Sequence, residues 1–501
     1  MANKVIHLWD NSWHVPQPDE NMKDSFGRKP CELKKQKNDD KVLKEFSSYT
    51  IDELMKSEGN AVLIWPNSFQ EGNDELKDQY IFRVLERNGK SIEITTNNVV
   101  GFIGKSEEKN QTDIRIHSRF SSEKPDKEGN VNDFFLYHML SKVMAINMFD
   151  LPTSSGTDMV FDFLLFFFPK LLKEAMSQGM YKKYVYHEYN DANVRGVIDI
   201  NRHIRQNIPA NGRIAYRTRE FCYDNPMTQL IRHTIEFIRR KPFGKAVLHN
   251  DADTEAYVQQ IIQATPTFVA QQRQSVINDN LRPIVHPYYT KYAALQKLCL
   301  RILRHEKLSY GQANDKIHGL LIDAAWLWEE YVAKVLSEGQ SGLKHYTRQN
   351  SLYLFEFGNS HFQKIIPDYL DKDNQIVADA KYIPLNRYDH LDADRASAVY
   401  YKTIMYMYRF NAIKGFLFHP CSGTDVVRDG YTVEDGIVSC DYKIVDTDGH
   451  LYEVGMVIDD KEKEANNDSK DKKKYTLYRN KMLQKEEHFR NRIKDILLCT
   501  H

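Results

Sequence analysis

Apolar positions along the chain follow two different periods, and the period changes twice. Between residues 60 and 120, short runs rich in β-branched and aromatic residues are separated by Gly, Asn and Asp, a pattern typical of short strands. The predicted strands cover residues 61–65, 80–85, 91–95, 99–103 and 113–117. We therefore expect a small antiparallel β domain over residues 1–125, with a partly irregular lead-in over 1–45.

The helical period begins near residue 130. Apolar residues then recur at the spacing of one helix face, which predicts helices over residues 132–149, 158–177, 226–241, 253–263 and 291–304. Asn225 before Pro226 is a typical helix start, because a capping side chain precedes a proline that suits the first turn. The pattern predicts a helical middle domain over residues 126–304.

After residue 305 the two periods alternate. The pattern predicts a helix over 319–336, strands over 351–357, 363–370 and 376–383, a helix over 393–409 and a strand over 415–419. Residues 459–474 are densely charged and predict a solvated insertion, which a closing helix over 482–498 follows. We expect an α/β domain over 305–501, so the whole chain combines α/β and α+β domains.

Composition limits the class of protein. The chain of 501 residues carries 69 basic and 69 acidic side chains, and this zero net charge excludes binding to nucleic acid or membranes through bulk charge. Its six cysteines lie far apart without a CxxC pair, which argues against a zinc ribbon and favours a reducing cytoplasm. The apolar run 161–168 is too short to cross a membrane, and the N-terminus lacks the apolar core of a signal peptide. We expect a cytoplasmic protein that does not bind membranes.

Residues 104–106, Gly-Lys-Ser, resemble the end of a phosphate-binding loop. Such a loop needs a glycine five residues before Gly104, where Val99 stands. The residues that follow return to a strand pattern rather than opening a helix. We therefore expect no nucleotide site in this segment.

The segment 364–382 carries the candidate chemistry. Asp368 ends one apolar strand, a polar turn follows, and the next apolar strand ends with Asp379 and Lys381. Since side chains alternate along a strand, Asp379 and Lys381 share one face. A turn centred on residues 373 and 374 places Asp368 opposite Asp379, with Cβ atoms roughly 5 Å apart.

Two carboxylates this close repel each other unless a cation neutralises them. Mg²⁺ takes one or two carboxylates together with waters and phosphate oxygens, which suits phosphodiester hydrolysis. Lys381 would position or deprotonate the attacking water and offset charge in the transition state. The alternative is a surface hairpin whose Asp and Lys form an ordinary ion pair, although the apolar residues beside both acids favour a buried hairpin.

The residues Trp328-Glu329-x-Tyr331-Val332, Pro367-Asp368 and Asp379-Ala380-Lys381 together resemble the PD-(D/E)xK nucleases. More specifically, they resemble the McrC family, the nuclease subunit of McrBC-type, modification-dependent restriction systems, including its LlaJI-like relatives. Segments upstream resemble that family in the same order, namely residues 114–116, 151–153, 191–199 and 224–231. The resemblance covers about residues 90–445.

The resemblance implies a role for each residue of the motif. Asp368 and Asp379 would hold Mg²⁺, or Mn²⁺ in its place, and Lys381 would be the catalytic lysine. Glu329 would assist the metal, although Glu329 and its neighbour Glu330 are equally compatible with solvated positions on a helix. The resemblance also implies a PD-(D/E)xK restriction-endonuclease-like fold for residues 305–501.

The resemblance implies a partner as well. McrC proteins act with McrB, an AAA+ GTPase whose hexamer they bind and stimulate through the N-terminal β region, while McrB recognises the DNA. Residues 1–125 are therefore the candidate docking domain. One departure concerns the helix after the motif, where the family carries Gln four residues before a Tyr. This chain has Lys402 before Tyr406, and Lys402 would contact a phosphate instead.

Residues 195–245 contain eleven Lys and Arg against four Asp and Glu. A local excess of positive charge suits contact with the phosphates of double-stranded DNA, and the alternative is a solvated helical face with ordinary ion pairs. The candidate DNA contacts are Arg195, Arg202, Arg205, Arg217, Arg219 and Lys402.

The leading hypothesis is a Mg²⁺-dependent endonuclease that cuts DNA when an AAA+ GTPase activates it. Two alternatives remain open. One is a non-catalytic adaptor that binds DNA and activates an AAA+ motor. The intact set of two acids and a lysine argues against this alternative. The other is an autonomous RecB-like repair nuclease that needs no partner.

Overall fold

The computed structural model describes residues 2–19, 22, 29–35, 39–56, 61–66, 79–87, 91–107, 110–121, 131, 133–144, 157–241, 243–249, 251–308, 316–339, 343–346, 352–373, 375–383, 393–422, 430–458 and 471–498. The chain divides into two compact units. Unit 1 comprises residues 1–149 and 313–501, and unit 2 comprises residues 150–312.

The N-terminal part of unit 1 consists mainly of strands. Its elements are β1 (Ala2–Trp9), β2 (Trp13–Val15), β3 (Cys31–Glu32), α1 (Asp39–Ser47), α2 (Ile51–Lys56), β4 (Ala61–Trp65), β5 (Phe82–Arg87), β6 (Ser91–Thr96), β7 (Val99–Glu107), β8 (Asn110–His117) and α3 (Phe134–Met144). The five strands that the sequence predicts here are present as β4 to β8. The lead-in is more regular than expected, because β1 pairs in parallel with β8 and α1 buries Leu43 and Phe46 in the core.

A strand from the C-terminal half completes this region. β12 (Lys316–Asp323) lies between β7 and β4 in a five-stranded sheet of order β1-β8-β7-β12-β4, and a four-stranded sheet of order β3-β2-β6-β5 accompanies it. The prediction of a helix over 319–336 is wrong for residues 319–323, which belong to β12; the helix begins at Ala324. Leu320, Leu321 and Ile322 are all buried, and an unbroken apolar run in a buried strand has no period that separates it from a buried helix.

The Gly-Lys-Ser segment lies inside β7 and pairs with β12. At Gly101 in the same strand φ is +129°, and a Cβ there would lie 2.1 Å from the carbonyl oxygen of Leu320. The backbone of β12 therefore approaches too closely for any residue but glycine at position 101. Packing between strands therefore explains Gly101. Residues 104–106 continue the same strand instead of forming a phosphate-binding loop.

Unit 2 is a helical bundle that carries a three-stranded antiparallel sheet of order β10-β11-β9. Its elements are α4 (Thr157–Met176), β9 (Lys183–Asp191), β10 (Val197–Ile198), α5 (Ile200–Asn207), β11 (Ile214–Cys222), α6 (Pro226–Arg239), α7 (Gly244–Leu248), α8 (Ala252–Ala264), α9 (Arg273–Asp279) and α10 (Tyr292–Leu308). The predicted helices are confirmed as α4, α6, α8 and α10. The side-chain oxygen of Asn225 accepts the N–H groups of Met227 and Thr228, which caps α6 as expected.

The sequence did not predict the small sheet of unit 2. Most residues of β9 and β11 are exposed or half-buried, so the strands show no alternation between apolar and polar side chains. The short apolar run of α4 is confirmed as part of a buried helix, since Phe166, Phe167 and Phe168 are all buried. Among the described residues, no helix combines the length and the apolar character needed to cross a membrane.

The C-terminal part of unit 1 contains a seven-stranded sheet of order β13-β16-β17-β18-β21-β20-β19. The elements are α11 (Ala324–Ser337), β13 (Lys344–His345), β14 (Leu352–Phe357), β15 (Ser360–Ile365), β16 (Tyr369–Asp371), β17 (Ile376–Ala380), α12 (Ala393–Phe410), β18 (Lys414–Ser422), β19 (Thr432–Glu434), β20 (Ile437–Lys443), β21 (His450–Ile458) and α13 (Asp471–Leu498). The central strands β17, β18 and β21 run parallel.

The predicted α/β order of this part is largely confirmed. The strand expected over 363–370 is two strands, β15 and β16, because the chain leaves the hairpin of β14 and β15 and joins the large sheet. Strands β19 to β21 were not predicted. Residues 459–470 of the expected insertion lie outside the described residues, and α13 begins at Asp471, earlier than the predicted helix.

The division into residues 1–125, 126–304 and 305–501 differs from the two units that the structure contains. The difference arises because β12 pairs with the N-terminal strands, and because α3 packs against α11 and α13. Mixed α/β architecture, the expected class, is present.

A buried carboxylate holds three helices of unit 1 together. Glu486 on α13 is fully buried, and it accepts hydrogen bonds from Nε2 of His138 at 2.8 Å and from the hydroxyl of Tyr331 at 2.7 Å. The ammonium of Lys142 is also in contact with it. Burial acts to raise the pKa of Glu486, but His138 and Lys142 outweigh burial and lower this pKa to about 2.

Replacing this carboxylate should destabilise the protein. We expect Glu486→Gln to lower the free energy of unfolding by about 3 kcal/mol at pH 7, because the ammonium of Lys142 then loses the buried carboxylate that it contacts. A folded-state pKa below the ordinary 4.5 stabilises the fold above that value, and this contribution is lost as the pH falls from about 4.5 to about 2. Urea unfolding of wild type and variant across this pH range should show their difference shrinking. Glu487→Gln, at the exposed neighbouring position, is the control, and an equal effect of both variants would contradict the prediction.

Candidate functional site

The hairpin of β16 and β17 has the register that the sequence predicts. Tyr369 pairs with Ala378, Leu370 with Val377 and Asp371 with Ile376. Continued by one residue, this register sets Asp368 opposite Asp379. The backbone N–H of Ala380 donates to Oδ2 of Asp368 at 2.7 Å, which holds the first carboxylate beside the end of β17.

Asp379 lies in the centre of the sheet, where β17 has β16 on one side and β18 on the other. Its side chain is completely buried, and neither carboxylate oxygen accepts a hydrogen bond of regular geometry in the described part of the chain. Nζ of Lys381 forms an ion pair with Oδ2 of Asp379. The alternative of an exposed hairpin is therefore excluded, because both this acid and the strand that carries it are buried.

The two acids differ in their pKa values. Burial, followed by repulsion from Asp379 and Glu329, raises the pKa of Asp368 well above its ordinary range. Burial also acts to raise the pKa of Asp379, but the ammonium groups of Lys381 and Lys402 outweigh it and hold this pKa below its ordinary value. The pair therefore keeps one negative charge more readily than two, and a cation placed between the carboxylates would stabilise the doubly ionised form.

Glu329 lies on α11 and has a partner of its own. Its Oε1 is 3.1 Å from Nε2 of His345, and its backbone carbonyl accepts a hydrogen bond from the hydroxyl of Tyr369 at 2.6 Å. Its charge still contributes to the raised pKa of Asp368. No three Asp, Glu, His or Cys side chains of the described residues are arranged to hold one metal ion. The structure thus brings Asp368, Asp379 and Lys381 together and places Glu329 nearby, paired with a histidine that the sequence did not single out.

The donor set fits Mg²⁺ or Mn²⁺. These cations take oxygen ligands, and Mg²⁺ commonly uses one or two carboxylates and completes its shell with water and phosphate oxygens. The buried oxygens of Asp379 have no regular hydrogen bond, and Asp368, directly before β16, is held beside the end of β17 by the N–H of Ala380. Two carboxylates therefore supply the donors that such a site needs, without a third protein ligand.

Two residues of α12 border the acids. Lys402 is exposed, and its ammonium lies 5.5 Å from the centroid of the Tyr406 ring. The charge of Lys402 helps to lower the pKa of Asp379, so its ammonium lies within electrostatic reach of the pair. The buried Tyr406 donates its hydroxyl to the carbonyl of Ile366 at 2.9 Å, which fixes the backbone just before Asp368.

The five candidate arginines of unit 2 have different surroundings. Arg202 links strands, since its Nη2 donates to the carbonyls of Tyr189 at 2.6 Å and Tyr216 at 2.8 Å. Arg195 hydrogen-bonds to the hydroxyl of Tyr216 at 3.1 Å, and Arg205 bonds within its own helix. Arg202 therefore supports the sheet from a mostly buried position, whereas Arg195 and Arg205 are exposed.

Arg217 and Arg219 lie on one face of β11 beside exposed aromatic rings. The Arg219 guanidinium is 4.4 Å from the centroid of Tyr184, and that of Arg217 is 5.7 Å from the centroid of Tyr186. The two tyrosines are 54% and 64% exposed. We call this set of four residues the basic-aromatic face, and its cations are open to solvent.

Comparisons with known proteins identify the family. A family model described as McrBC 5-methylcytosine restriction system component matches residues 94–420. A search of curated proteins found no match. Among solved structures, one chain from an assembly of Thermococcus gammatolerans McrB AAA+ hexamers with bound McrC is 14% identical, with a TM-score of 0.43 over 96% of this chain and 99% of that chain.

A chain of the Thermococcus gammatolerans McrBC complex, determined by cryo-electron microscopy, is also 14% identical. Its TM-score is 0.28, and the match covers 67% of this chain and 87% of that chain. The family match spans well over half of the 501 residues and contains Glu329, Asp368, Asp379 and Lys381. It confirms the resemblance drawn from the sequence, and the chain belongs to the family of McrBC 5-methylcytosine restriction system components.

Proposed function

We propose that this protein is a McrC-type, Mg²⁺-dependent DNA endonuclease subunit with a PD-(D/E)xK nuclease domain. It hydrolyses phosphodiester bonds when an AAA+ GTPase partner activates it, and it stimulates the GTPase activity of that partner. The observation that carries this proposal is the meeting of Asp368, Asp379 and Lys381 at the centre of a buried sheet. Family membership supports it. We propose the cytoplasm as its location, since its separated cysteines suit a reducing compartment.

Each residue of the site has a distinct task in this proposal. Asp368 and Asp379 would hold the cation, and Glu329 would assist through its charge. When bound there, Mg²⁺ would supply polarisation of the scissile phosphate and a lower pKa for a water molecule. Lys381, held toward the acids by its ion pair with Asp379, orients the attacking water and offsets the negative charge that develops on the phosphate.

Contacts with double-stranded DNA are the second part of the proposal. Lys402 beside the acids and the exposed arginines of unit 2 would bind backbone phosphates, which requires positive charge but no particular base sequence. Arg202 contributes indirectly, because its hydrogen bonds hold together β9 and β11, the strands that carry the basic-aromatic face.

The partner is the third part. One solved assembly with a chain similar to this one contains McrB AAA+ hexamers with bound McrC, and we propose an McrB-like hexamer for this chain too. The β-rich segment 1–125 is the proposed docking region. No nucleotide-binding loop interrupts β7 in this segment, so GTP hydrolysis would belong to the partner.

Removing the second acid should abolish cleavage. We expect Asp379→Asn and, separately, Lys381→Ala to reduce the rate of plasmid cleavage by on the order of 100-fold or more. The first variant removes a proposed ligand of the cation, and the second removes positive charge that offsets the charge developing on the phosphate. Cleavage is measured with partner, GTP and Mg²⁺, and stimulation of the GTPase is measured in the same mixtures.

The matched control is Asp373→Asn, which removes one carboxylate from the exposed turn of the same hairpin. GTPase stimulation should persist in all three variants. An Asp379→Asn protein that cuts at the wild-type rate would refute the site assignment. A wild-type protein that stimulates the partner and cuts no DNA with Mg²⁺ or Mn²⁺ would instead favour the adaptor. Cutting of free DNA ends without the partner would favour the repair nuclease.

Removing charge from the basic-aromatic face should weaken DNA binding. We expect Arg217→Gln/Arg219→Gln to lower the affinity for double-stranded DNA equally for all sequences, and to reduce the slope of log affinity against log salt by about 2. Fluorescence anisotropy across a salt series measures both quantities. The control Lys297→Gln/Arg304→Gln removes the same charge from exposed positions of α10. Equal slopes for the two double variants would argue against this face as a DNA contact.

A further inference from the structure

The segment directly after β17, which carries Lys381, lies against side chains from the N-terminal part of unit 1. Tyr382 follows Lys381 directly and is 3% exposed. Nη2 of Arg119 donates a hydrogen bond to the backbone carbonyl of Tyr382 at 3.0 Å. The same guanidinium lies 4.2 Å from the centroid of the Tyr382 ring. One arginine therefore contacts both the backbone and the ring of the residue next to the candidate catalytic lysine.

Arg119 is itself held in place by its neighbours. Oδ1 of the fully buried Asp10 accepts the backbone N–H of Arg119 at 2.5 Å, and Oδ2 lies 3.6 Å from Nη1. The backbone N–H of Asp10 donates to the carbonyl of His117 at 2.8 Å, which joins the ends of β1 and β8. The Phe120 ring packs 4.7 Å from the guanidinium and meets the Tyr382 ring edge to face, with centroids 6.2 Å apart.

Few other contacts determine the backbone at Lys381. Its N–H donates to the carbonyl of Phe418 on β18 at 2.7 Å, and the preceding N–H, that of Ala380, donates to Asp368. The paired part of β16 begins at Tyr369, opposite Ala378 and three residues short of the level of Lys381. On the C-terminal side of Lys381, the hydrogen bond from Arg119 is the next described contact that fixes the backbone.

Stability alone does not explain a buried Arg–Asp pair at this place. Taking both charges out of water costs several kcal/mol per ion, and well-packed apolar side chains often stabilise such a position equally well or better. A guanidinium makes directional contacts that an apolar side chain cannot make. Its planar group can donate a hydrogen bond to a carbonyl and stack on an aromatic ring at the same time. The observed contacts use both properties on Tyr382.

We propose that Arg119, oriented by Asp10, is a positioning residue for Lys381. By fixing the carbonyl and ring of Tyr382, it sets the direction in which the Lys381 side chain leaves the strand, toward Asp379. The proposal rests on the proposed function, in which Lys381 acts at the phosphodiester. It adds a role for two residues that are distant in sequence from the nuclease motif, and it makes the ends of β1 and β8 part of the structure that supports the site.

The first test separates positioning from binding. Arg119→Met removes the charge and the hydrogen bond while keeping much of the volume, and Arg119→Lys restores the charge. In single-turnover cleavage with partner, GTP and Mg²⁺, we expect Arg119→Met to lower the maximal rate at least about 10-fold, because small displacements of reacting groups are costly. The half-saturating DNA concentration should stay within about two-fold of wild type, since the Arg119 side chain is only 9% exposed. Arg119→Lys should recover part of the rate.

The second test reads the position of Lys381 without cleavage. Brief acetylation by a limiting amount of acetic anhydride, followed by mass spectrometry, measures how accessible each lysine is. We expect labelling of Lys381 to rise several-fold in Arg119→Met, and to rise less in the milder variant Asp10→Asn, because the pair with Asp379 loosens. Arg490→Met is the control, since it removes a half-buried arginine that pairs with Glu338 elsewhere in unit 1.

The outcomes distinguish the two proposals. Unchanged Lys381 labelling in Arg119→Met, or an equal rise in Arg490→Met, would overturn the positioning role whether or not the protein cuts DNA. A parallel loss of rate, DNA affinity and GTPase stimulation would also overturn it, since that pattern indicates general destabilisation. Absence of cleavage by the wild-type protein would overturn the proposed function, while the labelling would still decide the role of Arg119.

Discussion

Repulsion between two carboxylates, one in β17 and one directly before β16, is the constraint on which the site depends. Pairing of β16 with β17 fixes the backbone of Asp368 and Asp379, so these acids cannot separate to lower their mutual repulsion. Lys381 compensates part of this negative charge, and burial together with the remaining repulsion from Asp379 raises the pKa of Asp368. A divalent cation would relieve the same repulsion, which is why a rigid, buried pair of acids suits metal-dependent phosphate chemistry.

The rigidity of that pair comes from distant parts of the chain. β12 inserts between β7 and β4, and α11 begins directly after it, capped by Asp323, whose Oδ1 accepts the N–H of Ala325 at 2.9 Å. Trp328 on α11 then donates its indole N–H to the carbonyl of Phe418 at 3.2 Å. The N-terminal sheet, α11 and the central strands are thus one packed body within unit 1, and strands hold catalytic geometry more accurately than loops do.

The main effect of the buried charged side chains in this protein is to fix the positions of neighbouring groups. Glu486 accepts hydrogen bonds from side chains of α3 and α11, and Arg202 donates hydrogen bonds to carbonyls of two strands in unit 2. Arg119 aligns one carbonyl and one ring. Buried ion pairs add little net free energy compared with apolar packing, but each of these fixes where particular backbone or side-chain atoms lie.

Local patterns in the sequence were enough to predict the strands β4 to β8, the main helices of unit 2 and the register of the β16–β17 hairpin. All of these depend on residues close together in the chain: period, capping residues and turn position. The convergence of Asp368, Asp379 and Lys381 followed from the same local register.

Strand β12 could not be predicted, because its partners lie more than 200 residues earlier in the chain and its buried apolar run continues into α11. The pairing of Glu329 with His345 and the contact of Arg119 with Tyr382 are also decided by tertiary packing, since no period or spacing links these residues. The sequence by itself therefore determined which groups could carry the chemistry, whereas the tertiary structure decided what surrounds and orients them, because only long-range packing brings those neighbours together.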